Sequence, residues 1–117
     1  MYIKKILFID DDANLLEIVP LILTNFEVYT SPNAINLASQ IQGILPDLII
    51  IDVFLGAVDG SSICAKLKSD VRTEHIPIIL ITAGLFRHKD RESGADTLIA
   101  KPFDIEDLTG VVVSLLD

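Results

Sequence analysis

The sequence predicts an α/β fold, a doubly wound parallel sheet of five strands with helices on both faces. Three observations predict it. Strand-like apolar runs and helix-like segments alternate five times within 117 residues, without an internal repeat. The runs Leu48–Ile51 and Ile78–Ile81 are apolar at every position, as expected of strands covered on both faces. No Pro/Gly/Ser-rich linker interrupts the pattern, so one domain over residues 1–117 is expected. Right-handed crossovers between parallel strands then place helices on either side of the sheet.

The elements follow in order. A strand near 3–9 carries Ile6-Leu7-Phe8-Ile9 and stops at Asp10-Asp11. Asp12 is positioned to cap a helix over 13–24. That helix is apolar at Leu15, Leu16, Ile18, Val19, Leu21, Ile22 and Leu23, more than one face buries. Pro20 in its middle removes a hydrogen bond and should kink or interrupt it, at a cost of ~3 kcal/mol. The surplus apolar surface is either a partner face or is tucked into the core by the kink. After a strand near 26–30, Ser31-Pro32 reads as a cap and first-position proline of a helix over 33–42. The strand near 47–52 ends at Asp52, and a helix over 60–69 holds Cys64, a small core residue. The strand near 77–82 ends at Thr82. A short polar helix over 86–93 gathers Arg87, His88, Lys89 and Arg91, read as a solvated face ahead of a basic docking patch. A last strand near 96–100 runs into Lys101-Pro102. Asp104 is placed to cap the final helix over 105–116, with Leu108, Val111, Val112 and Leu115 as its buried stripe.

Composition narrows the function. Half of the residues are apolar, which supports a sizeable core and argues against disorder. The net charge of −8 disfavours nucleic acid and anionic membrane as partners. A single cysteine rules out an intramolecular disulfide and fits a reducing compartment. Lys4 and Lys5 break up the start of the chain before a signal-peptide core forms, and the longest apolar stretch, Ile18 to Leu23, is too short to cross a bilayer. A soluble cytoplasmic protein is expected.

In an open parallel sheet, ligands bind outside the carboxyl ends of the strands. Asp10, Asp11, Asp52, Thr82 and Lys101 all fall there. Two carboxylates ~4 Å apart repel by roughly 4 kcal/mol at an effective dielectric of 20, so three of them call for a positive partner. Mg²⁺ (or Mn²⁺) meets that need with carboxylate, water and phosphate oxygens, and Lys101 adds a second positive charge. Thr82 offers a hydroxyl and Ala83 a backbone amide to an anionic oxygen. The set describes phosphoryl transfer to a carboxylate, with Asp52 as nucleophile and Asp10 and Asp11 as metal ligands.

These residues carry a family resemblance over essentially the whole chain. Phe8-Ile9-Asp10-Asp11-Asp12, Asp52 with Asp59-Gly60, Thr82-Ala83, Gly94-Ala95-Asp96 and Lys101-Pro102-Phe103 resemble a response-regulator receiver domain. The resemblance implies a flavodoxin-like (CheY-like) strand order 2-1-3-4-5. It implies phosphorylation of Asp52 by a histidine kinase or histidine phosphotransfer protein. It also implies Mg²⁺ held by Asp10, Asp11, Asp52 and the backbone carbonyl of Phe54, with Thr82 and Lys101 on the phosphoryl group. A kinase-docking surface around the first helix follows as well. The chain departs from the family in several places. Leu98 stands where an aromatic switch residue is usual, and Gly56 stands where proline is usual, which should loosen that loop. Phe54 and Gly84 occupy positions that tune phosphoryl lifetime. The segment from Thr82 to Gly94 is short, so a reduced fourth helix is expected.

The leading expectation is a phosphoacceptor signalling domain, a switch rather than a turnover enzyme, with output by protein–protein contact. The alternative is a pseudo-receiver acting as a phosphorylation-independent interaction module, motivated by Leu98 and the short fourth helix. A phosphate-ester hydrolase using Asp10 and Asp12 fits the Asp-x-Asp spacing poorly, because Asn14 follows it. A flavin-binding protein fits less well, since an Asp pair after the first strand would repel the phosphate.

Overall fold

Residues 2–117 are described by a computed structural model. Five parallel strands form the central sheet: β1 (Lys5–Ile9), β2 (Glu27–Ser31), β3 (Leu48–Asp52), β6 (Ile78–Thr82) and β7 (Thr97–Ala100). Their spatial order is β2-β1-β3-β6-β7, the predicted 2-1-3-4-5 arrangement. A separate two-stranded antiparallel hairpin, β4 (Phe54–Leu55) and β5 (Val58–Asp59), interposes between β3 and the next helix. The helices are α1 (Ala13–Ile22), α2 (Leu37–Ile44), α3 (Gly60–Lys68), α4 (His88–Arg91) and α5 (Ile105–Leu116).

The all-apolar strands are double-faced for a reason that is visible in the core. Ile6, Phe8, Leu48, Ile50, Ile79 and Ile81 point to one face and pack with Val19 and Leu23 near α1 and Leu108 and Val112 of α5. The intervening Leu7, Ile9, Ile49, Ile51, Ile78 and Leu80 point to the other face, onto Ile41 of α2 and Cys64 of α3. Each such side chain contributes about 1.5–3 kcal/mol on full burial, so the three central strands dominate the core. The α5 stripe forms as expected, with Leu108 and Val112 buried and Val111 and Leu115 packed against them. Cys64 is buried, and burial pushes its thiol pKa up, as suits a packing residue.

Several local expectations are corrected. α2 starts at Leu37, not at residue 33. Ser31 closes β2, its hydroxyl donates to the Asn33 carbonyl at 2.8 Å, and the Asn33 side chain accepts from Ile35 N–H at 3.0 Å. These short-range bonds hold a turn that competes with helix. α1 runs through Pro20 and stops at Ile22; of the two alternatives for its surplus apolar surface, the tuck into the core does not hold for Ile18 (47% exposed) and Leu21 (75%), which face outward. α4 is only His88–Arg91, a stronger reduction than expected. Asp104 occupies the cap position of α5 without a side-chain capping bond, whereas Asp12 caps α1 through Asn14 and Leu15 N–H groups.

The loop after Asp52 is the short β4–β5 hairpin. Gly56 sits at φ +64° in the turn of the β4–β5 hairpin, a conformation closed to proline, whose ring holds φ near −65°. Glycine here permits a turn that proline could not form. Leu98 is half-buried and packs, with Ala95, on the core beneath α2 and α3. No helix among the described residues is long and apolar enough to cross a membrane.

Candidate functional site

The parallel register brings the predicted residues to one edge. Ile9 pairs with Ile51, Asp52 with Ile81, and Thr82 with Ala100, so the strands end level and deliver Asp10, Asp52, Thr82 and Lys101 together. Carboxylate oxygens of Asp10, Asp11 and Asp52 lie within 4.8 Å of one another. Asp10 is 0% exposed and Asp52 4%, whereas Asp11 is exposed.

Lys101 is the cation of this set. Its Nζ donates to Asp52 Oδ2 at 2.8 Å and sits 3.0 Å from Asp10 Oδ2. Burial favours the neutral amine, but Asp52 and Asp10 outweigh it and hold the Lys101 pKa above its ordinary value. Asp10 shifts upward in turn. Burial pushes its carboxyl up, the Asp12 N–H at 2.9 Å and Lys101 oppose, and the Asp52 charge adds to the rise.

The donor set fits a hard divalent cation. Asp10 Oδ2 is buried and, among the described residues, no group hydrogen-bonds to it; Lys101 is close enough for an ion pair but off the line of a hydrogen bond. An acceptor-only oxygen left this way beside two other carboxylates suits a metal with oxygen ligands. Phe54 places its amide on Asp52 Oδ1 at 3.0 Å, which keeps the main chain of Phe54 against the acceptor carboxylate. Thr82 is buried, and its Oγ1 accepts from Gly84 N–H at 3.2 Å, leaving the hydroxyl proton available. Ala83, next in the chain, is exposed at the same edge.

Sequence reasoning named a second group of residues around this edge without giving them their structural roles. Gly60 opens α3 directly behind Asp52, and its N–H donates to the Val53 carbonyl at 2.7 Å. A Cβ at Gly60 would lie 2.1 Å from the Asp52 carbonyl oxygen, so no side chain fits. Asp59 caps α3 through Ser61 N–H at 2.9 Å and binds Arg87. The basic cluster is the exposed face expected at His88, Lys89 and Arg91, and Arg87 is the exception, half-buried against two carboxylates. Arg87 joins Asp59 and Asp90, Lys89 reaches Asp59 at 3.2 Å, and His88 meets Glu92 at 2.8 Å. Asp59-Gly60 was a visible motif, but nothing local in the sequence pairs Arg87 with it. Asp96 is likewise structural, accepting from Ile78 N–H at 2.8 Å and forming an ion pair with Lys68 Nζ at 2.9 Å.

Comparison with known proteins agrees with this geometry. The family model for the response regulator receiver domain matches residues 6–113. The chain is 38% identical to the DNA-binding dual master transcriptional regulator RpaA of Synechocystis sp., over 96% of this chain and 48% of RpaA. It is 43% identical to the response regulator PleD of Caulobacter vibrioides, over 86% of this chain and 23% of PleD. The chain thus spans less than half the length of these curated relatives. A crystal structure of a response regulator receiver domain protein (CheY-like) from Methanospirillum hungatei superimposes with TM-score 0.89 at 25% identity, covering 99% of this chain and 95% of the other. Since the match leaves only the two chain ends outside it, the chain belongs to the response regulator receiver domain family.

Proposed function

We propose that Asp52 is the phosphoacceptor of a two-component relay, taking a phosphoryl group from the phosphohistidine of a histidine kinase or histidine phosphotransfer protein. An Asp52 carboxylate oxygen forms the new O–P bond as the donor N–P bond breaks. The departing imidazole nitrogen keeps the bonding pair and takes up a proton. One observation carries this reading: a nearly buried Asp52, at the end of the central strand, held with Oδ2 on Lys101 Nζ at 2.8 Å and Oδ1 on the Phe54 amide.

The other residues divide the remaining work. Lys101 follows the charge from the carboxylate to the incoming phosphoryl oxygens. Thr82 donates its free hydroxyl proton to one of those oxygens, and the Ala83 amide donates to another. Asp10, Asp11 and Asp52, with the Phe54 carbonyl, would hold Mg²⁺ or Mn²⁺, which when bound would supply charge neutralisation for the phosphoryl group. The domain acts as a switch, not a turnover enzyme, and its exposed Ile18 and Leu21 offer the kinase an apolar docking face. Output runs through protein contact, because a net charge of −8 opposes direct binding to nucleic acid by this domain. The exchange belongs in the cytoplasm, where Cys64 stays a thiol.

The test is intact-protein mass after incubation with acetyl phosphate and Mg²⁺, beside Asp52→Asn and a metal-free control. The expected result is a base-labile gain of about 80 Da, one phosphoryl group on a carboxylate, that needs both Mg²⁺ and Asp52. A folded wild-type protein that gains no adduct even at the earliest times would overturn the proposal and leave a constitutive interaction module.

A further inference from the structure

Arg87 is tied to three segments at once. Its Nη2 lies 3.0 and 3.1 Å from the two carboxylate oxygens of Asp59 and 2.7 Å from Asp90 Oδ1. Its Nε donates to Asp90 Oδ2 at 3.2 Å, which makes the Asp90 contact a two-pronged one, and its backbone N–H donates to the same oxygen at 2.8 Å. The guanidinium carbon stands 5.3 Å from the centre of the Phe54 ring, within cation–π range.

Two of those partners lie on the hairpin that follows the acceptor. Phe54 and Asp59 face each other across the β4–β5 hairpin. The Phe54 amide is on the Asp52 carboxylate, and Asp59 caps α3. Asp90 is 1% exposed, so it needs a charged partner, and Arg87 is that partner. Phe54 itself is half-exposed, and a two-residue ladder with a glycine turn has little stability of its own. What holds the hairpin against the acceptor must come from outside it.

We infer that Arg87 is a positioning residue for phosphoryl transfer: it clamps the β4–β5 hairpin so that the Phe54 main chain stays on Asp52 and on the metal site. The role rests on the phosphoacceptor reading of Asp52, but the clamp itself is a property of the metal-free protein. Arg87 lies five residues after Thr82, so the clamp also ties the loop carrying the phosphate-binding hydroxyl to the loop carrying the acceptor. Lysine cannot replace it, because an ammonium lacks the planar fork that meets Asp59 and Asp90 while lying over a ring.

The experiment uses the wild type, Arg87→Met, Arg87→Lys and Asp59→Asn, each first checked for folding by circular dichroism and thermal unfolding. Amide hydrogen exchange at Phe54 and calorimetric Mg²⁺ titration are then measured without any phosphodonor. In Arg87→Met the Phe54 amide is expected to exchange roughly tenfold faster and the Mg²⁺ affinity to fall by a similar factor, an effect of about 1.4 kcal/mol. Arg87→Lys should recover only part of this, and Arg87→Met should add little in an Asp59→Asn background. Folded Arg87→Met with wild-type exchange and wild-type Mg²⁺ affinity would overturn the clamp. Should Arg87→Met not fold, Asp59→Asn decides in the same direction with a smaller effect, since it removes the charge that holds Arg87 to β5 while leaving the Arg87–Asp90 pair and the Phe54 contact. Because neither readout needs phosphorylation, failure of the clamp is separable from failure of Asp52 to accept phosphate.

Discussion

Gly60→Ala is the sharpest probe of the acceptor edge. The added methyl would meet the Asp52 carbonyl oxygen at 2.1 Å and Ile51 Cγ2 at 3.0 Å. The first contact is about 1 Å too short, and interiors packed near crystal density have no slack of that size. Neither obstacle moves easily. Ile51 and Asp52 belong to β3 and are paired to Leu80 and Ile81 of β6. The first turn of α3 and the hairpin must therefore back away, or the Asp52 peptide must tilt. Overpacking of this kind costs about 1–3 kcal/mol. A displacement of ~1 Å at a reacting group also costs on the order of 10²-fold in rate. Urea denaturation of Gly60→Ala should show a lower midpoint at unchanged slope. The initial rate of Mg²⁺-dependent adduct formation from acetyl phosphate should fall about 10- to 100-fold. Wild-type stability together with a wild-type rate would refute the packing argument. A lowered stability with an intact rate would refute its second half, showing that α3 absorbs the strain and Asp52 does not feel it.

Two further predictions concern charge. Lys101→Ala leaves the Asp10 and Asp52 carboxylates within 4.8 Å without their cation. Their mutual repulsion is roughly 3–4 kcal/mol at an effective dielectric of about 20, and water entry and proton uptake should reduce the loss to about 1–3 kcal/mol. Urea unfolding without Mg²⁺ should show this loss, with added Mg²⁺ recovering more for the variant than for the wild type; equal stability in metal-free buffer would contradict it. The second concerns acid. Burial works against the Asp59 carboxylate, but Ser61, Lys89 and Arg87 outweigh it and hold its pKa well below the usual range; the Arg87 bonds do the same for Asp90. Both carboxylates are thus stabilising above the unfolded pKa of about 3.9, and their contribution is lost as pH falls through the lowered folded values. Asp10, raised by burial, acts with the opposite sign: its neutral form is favoured, so protonation relieves the fold. Stability measured by urea from pH 5 downward should fall in the wild type, and the fall should flatten in Arg87→Met. Identical slopes in the two proteins would show that the Arg87 cluster does not contribute.

The fold and half of the site are properties of local sequence. A strand buried on both faces needs an unbroken apolar run, so Leu48–Ile51 and Ile78–Ile81 declare themselves, and the polar residue that ends each run marks the carboxyl edge where ligands bind. That is why Asp10, Asp52, Thr82 and Lys101 are legible one at a time and why the register gathers them. Helix ends are less legible, since the bonds of Ser31 and Asn33 that delay α2 to Leu37 compete with helix at nearly equal strength. Tertiary structure alone decided the rest. Arg87 and Asp59 meet across 28 residues, and the space behind Asp52 that only glycine fits exists because α3 starts against the end of β3. Charge pairs and close contacts depend on which loops the topology makes neighbours, and a periodicity read along the chain carries no record of that distance.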